Sequence, residues 1–492
     1  MGAAFGRLAQ SAGSLAGRGL KRPLEELSDE EGRGEDTDAD SDFERLMRTP
    51  KRRRMASTMA YVYETMFKGG AGSDVTLHAL GRKWHLHRLY LSQSAYFKSM
   101  FSSNWLESRA AEVTIEMVDP NITLAGLELA LGSLYSDEVC LPPADVVSVV
   151  AAAALLQMDG LLAQCAEVMC ACVAARTVVP FLEAAAAYGL DSVQRCCRRW
   201  LQLNLMTHVN DLPEVLRQLP APELARLVAS PELLVHQTEF SLYVLLKTWL
   251  FLRLHPEWRG AGREAVTEAH RFVQQRAASV SGPTLLETAQ GAPLAGPFGR
   301  MRLQHLVLHP FDMEVLFSDR VVPTGWLGGL FRCHWLTLLR LDQGLVQPDW
   351  CRAVSQQQFE ACALRCGRTL DDRRCTWRWT GFNFGLDLVM SHSRRQIALR
   401  RNSRQELPLL ISQADRRTVL YRVRVVGLDE RRAVRFELAT ELRSVQLARG
   451  QQVHVLTVPP EVAYPLLLSV NIMTAPISWT PTCAASGRPA SG

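Results

Sequence analysis

The apolar residues of this chain change their spacing twice. The resulting order of strands, helices and strands again restricts it to a multidomain α+β fold. Ser73-Asp74-Val75-Thr76-Leu77 alternates polar with apolar, Gly81 offers a turn, and Lys83-Trp84-His85-Leu86 follows, which predicts a β-hairpin. Leu89, Tyr90, Ala95, Phe97, Met100 and Phe101 then fall at the spacing of two short helices, and Glu112 to Val118 reads as a third strand. Asn121 is expected to cap a helix running to about Leu134, and Asp145 to cap another running to Leu156. Cys165 to Val173 closes this unit.

Helical spacing continues beyond it: Val193, Cys197, Trp200, Leu201 and Leu205 share one face, as do Leu224, Leu227 and Val228. From about Arg365 the period drops to two. Val419, Tyr421, Val423 and Val425 alternate with arginines, Val434, Phe436 and Leu438 repeat the pattern, and so do Val453, Val455 and Thr457. Gly427, Gly450 and Pro459-Pro460 punctuate these runs, so a separate antiparallel β-sandwich-like domain is expected. The 492 residues, 47% of them hydrophobic, suffice for about three domains. The expected organisation is a disordered acidic and basic region over 1–58, an α/β domain over 59–175, a helical domain over 176–310, a helical linker over 311–364, a β-rich domain over 365–475 and a disordered tail over 476–492.

A net charge of +5 over such a length creates no field that would make nucleic acid the main ligand, so basic signals must be local. One is Lys51-Arg52-Arg53-Arg54, which follows an acidic tract from Glu25 to Glu44 and reads as a nuclear localisation signal or, more blandly, a solvated charge run. Ser28 before Asp29-Glu30-Glu31 has the form of an acidophilic kinase site. Gly2 lacks the Ser or Thr a myristoylation motif wants, since Gly6 stands there. The first twenty residues hold no continuous apolar stretch, and Val146 to Leu156 covers about half a bilayer, so no membrane insertion is expected. Twelve cysteines without an export signal point to reduced thiols.

Three segments carry a resemblance. Ser73-Asp74, His85-Leu86-His87-Arg88-Leu89-Tyr90-Leu91-Ser92 and Ser94-Ala95-Tyr96-Phe97-Lys98-Ser99-Met100-Phe101 resemble the signature of BTB/POZ domains. The order of Leu233, Val235, Glu239, Tyr243 and Trp249 is similar to the all-α BACK domain that follows BTB in those families. No repeat of about 50 residues with paired glycines announces a kelch propeller. Instead Trp377-Arg378-Trp379-Thr380-Gly381-Phe382-Asn383-Phe384-Gly385-Leu386-Asp387, with Tyr61-Val62-Tyr63-Glu64-Thr65-Met66-Phe67 and Tyr188-Gly189-Leu190-Asp191-Ser192-Val193, resembles the germ cell-less family over roughly residues 45 to 475.

No nucleophile elbow, P-loop, dinucleotide turn or zinc-protease helix occurs, so no catalytic residue, cofactor or metal is assigned. Cys165, Cys170 and Cys172, and Cys362, Cys366 and Cys375 with Cys333 or His334, lack paired knuckle spacing and read as core thiols. His85 and His87 have the spacing of one strand face, but His87-Arg88 at a helix start, neutralised by Asp74, is the preferred reading. Tyr61, Tyr63, Met66 and Phe67 are apolar for a lead-in and are candidates for a dimer interface or for packing on their own domain. Trp377, Trp379, Phe382 and Phe384 read as one face of an extended strand interrupted by Gly381, forming core or, with Arg378 and Asn383, a weak candidate client surface.

The resemblance implies more. Trp105-Leu106-Glu107 matches the hydrophobic-x-Glu pattern with which BTB proteins fill a pocket on cullin-3, and the helices near Val178 to Leu205 would add a second contact. The chain would then be a non-enzymatic, homodimeric, substrate-specific adaptor of a cullin-3 ubiquitin ligase, recruiting clients through its C-terminal domain. By the same resemblance its setting is the nuclear matrix or envelope, with shuttling to the cytoplasm, in germ-cell development and spermatogenesis. Nuclear-envelope proteins and a transcription-factor dimerisation partner would be its partners. The alternative is a ligase-independent nuclear scaffold or transcriptional co-regulator.

Overall fold

A computed structural model describes residues 57–102, 110–136, 139–207, 212–279, 282–378, 384–402 and 415–476. The described residues from Thr58 onward form one compact unit. The first hairpin joins β1 (Val75–Ala79) to β2 (Arg82–Leu86) through Leu80 and Gly81, both at positive φ (48° and 75°). That pair of angles is the tight turn whose twist matches antiparallel strands. Val75, Leu77, Trp84 and Leu86 face inward, as the alternation requires.

Helices α1 (Arg88–Leu91) and α2 (Ala95–Ser102) follow. Strand β3 spans only Glu112–Thr114 and pairs parallel to β1, leaving β1 in the middle of a three-stranded sheet. It is shorter than its apolar pattern because Ile115 makes the last bond, its N–H donating to the His78 carbonyl at 2.9 Å, before the chain leaves the sheet. Helix α3 (Leu124–Gly132) is capped by Thr123, whose hydroxyl accepts from the Gly126 N–H at 3.1 Å, and not by the expected Asn121. Asn121 is engaged elsewhere, its side-chain amide donating to the Tyr188 hydroxyl at 2.8 Å. Asp145 stands at the N-cap of α4 (Val146–Leu155) without a side-chain cap bond.

Helices α5 (Asp159–Ala171), α6 (Val178–Ala187), α7 (Asp191–Asn204), α8 (Leu212–Gln218), α9 (Ala221–Ala229), α10 (Glu239–Leu254) and α11 (Gly262–Ser279) continue the chain. One apolar core runs without interruption from Phe67 and Leu86 through Val149, Leu201 and Trp249 to Leu330. Burial of that order, roughly 2 kcal/mol per large side chain, makes the first sheet and these helices a single body. Helices α12 (Ala295–Gly299), α13 (Pro310–Asp319), α14 (Thr324–Asp342) and α15 (Gln356–Cys362) lead to the strands.

The strands β4 (Leu364–Leu370), β5 (Cys375–Arg378), β6 (Leu388–Ser393), β7 (Gln396–Arg401), β8 (Arg416–Leu428), β9 (Val434–Ala439), β10 (Arg443–Ala448), β11 (Gln452–Thr457) and β12 (Leu466–Met473) form two antiparallel sheets. One has the order β10-β8-β12-β4 with β9 also on β8, the other β11-β7-β6-β5. Val419, Tyr421, Val423 and Val425 point from β8 into a second core between the sheets. This is a β-sandwich, but not a separate one. The alternate β8 residues Leu420, Arg422, Arg424 and Val426 face the helices, so the first sheet is covered on both sides. Contact is so close at Gly367 that an added Cβ would lie 2.6 Å from the Val235 carbonyl oxygen and 2.9 Å from that of Leu468.

Candidate functional site

The first candidate surface is built around the start of α1. The N–H groups of a first helical turn lack internal partners, and Asp74 Oδ1 accepts from the Arg88 N–H at 2.8 Å. Asp74 thus holds the backbone of Arg88, where the spacing had pointed to neutralisation of a buried charge. His87 is buried and its polar atoms are hydrogen-bonded: Nε2 lies 2.9 Å from the Ala71 carbonyl and Nδ1 3.2 Å from the Tyr135 hydroxyl, which also accepts from the His87 N–H. Burial pushes the Tyr135 phenol well above its ordinary range, so it stays a donor. His85 is exposed with its Nδ1 3.2 Å from the Thr76 hydroxyl, so the two rings have different polar partners.

The Arg88 guanidinium lies over the Phe101 ring at 5.0 Å and its Nη2 donates to the Ala110 carbonyl at 2.6 Å. Arg88 therefore holds both flanks of the segment that contains Trp105, Leu106 and Glu107, which themselves lie outside the described residues. Beside α2 an open groove of about 490 Å³ is lined by Gln93, Ser133, Ser136, Gln157, Asp159 and Gln164. Leu134, Val139, Met158 and Leu161 line it as well, so the groove offers hydrogen bonds and apolar contact side by side.

In the lead-in, Tyr61 is 63% exposed while Phe67 is 6% exposed and packs on Tyr135 at 5.3 Å. Tyr63 and Met66 are half-buried against the same core. The absence of a side chain at Gly132 lets the Tyr63 and Phe67 rings approach, since an added Cβ would lie 3.1 Å from both. Lys51, Arg52, Arg53 and Arg54 lie outside the described residues, as does Ser28.

The aromatic segment divides. Trp377 is buried in the sandwich with Arg368 over its ring at 5.5 Å, and Phe384 is buried against the His334 ring at 5.7 Å. Arg378 donates to Asp387 Oδ1 at 2.6 Å. Trp379, Phe382 and Asn383 lie outside the described residues. The cysteines sit in packing positions: burial pushes the Cys165 thiol to about 11 and the Cys197 thiol to about 12, and it raises Cys362, Cys366 and Cys375 as well. At neutral pH these are protonated and poor nucleophiles or ligands. Among the described residues, no group of three His, Cys, Asp or Glu could hold a metal ion. No described helix is long and apolar enough to cross a membrane.

Comparison with known proteins now bears on these surfaces. Residues 63–173 match the BTB/POZ domain family. Germ cell-less protein-like 1 of Mus musculus is 37% identical over 434 residues, spanning 87% of this chain and 82% of that protein. The chain belongs to the germ cell-less family. Protein germ cell-less of Drosophila melanogaster is 36% identical over 445 residues, 86% of this chain and 78% of its own length. Human Kelch-like protein 5 matches at 28% identity over 178 residues, 36% of this chain and 23% of that protein. The BTB assignment and the family named by residues 61–67, 188–193 and 377–387 are thereby established, and the antiparallel sheets of the C-terminal region by the strand topology.

The family resemblance included Tyr188, and its position explains why a tyrosine is useful there. Its hydroxyl donates to Asp119 Oδ2 at 2.6 Å and accepts from Asn121, so the end of α6 is tied to the loop before α3. Gly189, at a φ of 71°, reverses the chain immediately afterwards.

Residues that sequence reasoning missed join the helices to the sandwich. Arg365 and Glu239 are 1% and 0% exposed, with Nε to Oε1 at 2.6 Å and Nη2 to Oε2 at 3.0 Å. The remaining Arg365 donors reach the Val228 and Ser230 carbonyls at 2.8 and 3.0 Å. Arg302 donates to the Ala363 and Glu360 carbonyls, and burial, reinforced by Arg365, lowers it to about 9. His305 Nε2 meets the Cys362 carbonyl at 2.7 Å, and burial lowers this imidazole to about 4. Nearer the surface Glu232 is gripped by Arg422 and Arg424. The burial of Glu232 opposes its ionisation, but Arg424, Arg422 and Arg199 prevail and hold the carboxyl below its usual range. In sequence, Arg365 is one polar residue at the edge of an apolar run. Only its partner, 126 positions away, gives it a role.

Proposed function

We propose that this chain is the substrate-recruiting adaptor of a cullin-3 ubiquitin ligase. The observation that carries the reading is the pairing of Trp105-Leu106-Glu107 with its surroundings: an aromatic anchor and an acid two places on, in a connection whose flanks, Phe101 and Ala110, are both held by Arg88. In this reading the BTB engages the scaffold and the sandwich holds the client. Helices fused to both keep the client within reach of the charged conjugating enzyme, so that catalysis is proximity. The exposed Tyr61, continuous with Tyr63 and Met66, fits an interface with a second copy, which would give two readers per assembly.

Lys51 to Arg54 would direct the chain to the nucleus, where envelope proteins and a transcription-factor dimerisation partner, and a role in germ-cell development, extend the same reading. The test is complex formation between the purified chain and the N-terminal domain of cullin-3. Wild type is expected to co-elute with it, and Trp105→Ala with Glu107→Ala to lose about 100-fold in affinity while the chain keeps its elution volume and melting temperature. No complex with the wild type would leave a ligase-independent scaffold as the function. Replacing Lys51 to Arg54 with alanine is expected to leave the protein cytoplasmic. Unchanged nuclear accumulation would reject the localisation.

A further inference from the structure

Helix α14 is fastened by one side only. Leu327, Leu330, His334 and Thr337 are buried at intervals of three and four. The opposite side carries Gly325, Gly329, Arg332, Leu336 and Arg340 at the same intervals, with Trp335 beside them, all exposed. Trp335 is 63% and Leu336 43% exposed, which is unusual for a tryptophan, whose large apolar area normally drives it under cover. Phe317 of α13, 46% exposed and stacked on Phe331 at 6.3 Å, extends the apolar area.

Two further features say what covers this face. Glycine is among the worst helix formers, yet Gly325, Gly328 and Gly329 stand on the outward side, and nothing lies within 4 Å of where a Cβ would be at Gly325 or Gly328. They leave room for another backbone to come close. Arg332 and Arg340 flank Leu336 one turn to either side, and neither makes an ion pair among the described residues. A second copy of this helix, related by a two-fold axis through Leu336, would set Arg332 against the other Arg340, like charge on like. Acidic flanks are what the face complements. No acidic residue stands between Arg332 and Arg340 along the helix, so the centre of this side is positive.

We propose that the outward side of α14 is a docking surface for an amphipathic helix of a partner protein, with Leu or Phe residues on one face and Asp or Glu along its edges. Trp335 and Leu336 take the apolar face, the glycines admit the close approach, and Arg332 and Arg340 pair with the acids. That the bound helix belongs to a ligase client rests on the adaptor reading; the surface itself does not. On the buried side of the same helix, His334 meets the Phe384 ring of the sandwich at 5.7 Å.

The test uses the full chain and a synthetic helical peptide about five turns long, with leucine and phenylalanine on one face and glutamate edges, beside a twin with lysine edges. The glutamate peptide is expected to bind at least about tenfold tighter than the lysine twin. Trp335→Ala is expected to weaken it about 10- to 30-fold without lowering the melting temperature, and Arg332→Glu with Arg340→Glu to invert the preference between twins. Equal binding of the twins, or binding indifferent to Trp335, overturns the proposal. A photo-crosslinker at position 336 in cells is expected to capture acidic amphipathic segments of other proteins. Capture of a second copy, of residues 1–57 of this chain, or of basic segments overturns it. Cullin-3 binding measured on the same variants separates the two readings. Peptide discrimination without cullin binding removes only the ligase role, and cullin binding without discrimination removes only this surface.

Discussion

Two seams hold the described chain together, and they are made of opposite materials. Between the BTB region and the helices the seam is apolar: one continuous core passes from Leu86 and Phe97 through Val149 to Val193 and Leu201, with no change of character. Between the helices and the sandwich the two large cores stop short of each other. The gap is bridged by Arg365 on Glu239, Arg422 and Arg424 on Glu232, Arg302 on two carbonyls and His305 on a third, beside small apolar patches such as Leu203, Leu234, Val426 and Leu467, and Phe359 with Leu420 and Met473. Apolar burial is strong but non-directional. Bidentate arginine pairs are directional and tolerate few arrangements. The first seam therefore supplies stability, while the second defines one orientation of the sandwich on the helices at a desolvation cost.

The comparison can be broken most sharply at Arg365. Replacing it with Met leaves the Glu239 carboxylate buried without its partner and is expected to cost about 4 kcal/mol in urea unfolding, whereas Arg365→Met with Glu239→Leu should recover most of that loss. Equal effects of the single and double changes would show that the pair does not define the seam. Next comes acid sensitivity. His305 is neutral in the folded chain down to about pH 4, whereas an unfolded imidazole takes up a proton below about 6.5. The unfolded state binds more protons in that window, so stability falls as pH drops through it, by about 3 kcal/mol in all, and levels off below it. His305→Gln should flatten this slope in melting curves taken between pH 7 and 4. The depressed carboxyl of Glu232 contributes stability that is present above its unfolded value and lost as pH falls through its folded one, so a further loss is expected at lower pH.

The apolar seam should behave otherwise. Leu201→Ala, at a side chain with no exposure, is expected to cost about 2–3 kcal/mol at every pH in that range. A pH-dependent loss there would mean the two seams are not distinct in kind. The smallest effect belongs to Asp74→Ala, which removes one acceptor from the start of α1 at a partly solvated site and should cost about 1 kcal/mol. A loss several times larger would restore the buried-charge role that the spacing first implied.

Local features were legible wherever a short-range rule operates alone. Ser73 to Leu86 announced a hairpin because alternation and a glycine turn need no distant partner, and β8 announced itself through Val419, Tyr421, Val423 and Val425. The cap of α3 was misplaced by two residues, since Asn121 and Thr123 are both good caps and only the distant Tyr188 decides that Asn121 is occupied. β3 ends before the apolar pattern does: Ile115 makes the last bond, and Met117 is apolar for reasons of packing, not pairing.

Sequence by itself determined the family, the hairpin, the helical middle and the paired sheets, because periodicity and the motifs at 61–67, 188–193 and 377–387 are encoded among near neighbours. Only the tertiary structure decided that the sandwich is docked rather than separate, that Gly367 must be bare to let Val235 approach, and that Glu239 faces Arg365. The physical reason lies in the charges. An arginine on a strand carries no local mark of whether water or a buried carboxylate will meet it, and that depends on which distant surface the rest of the chain brings against it.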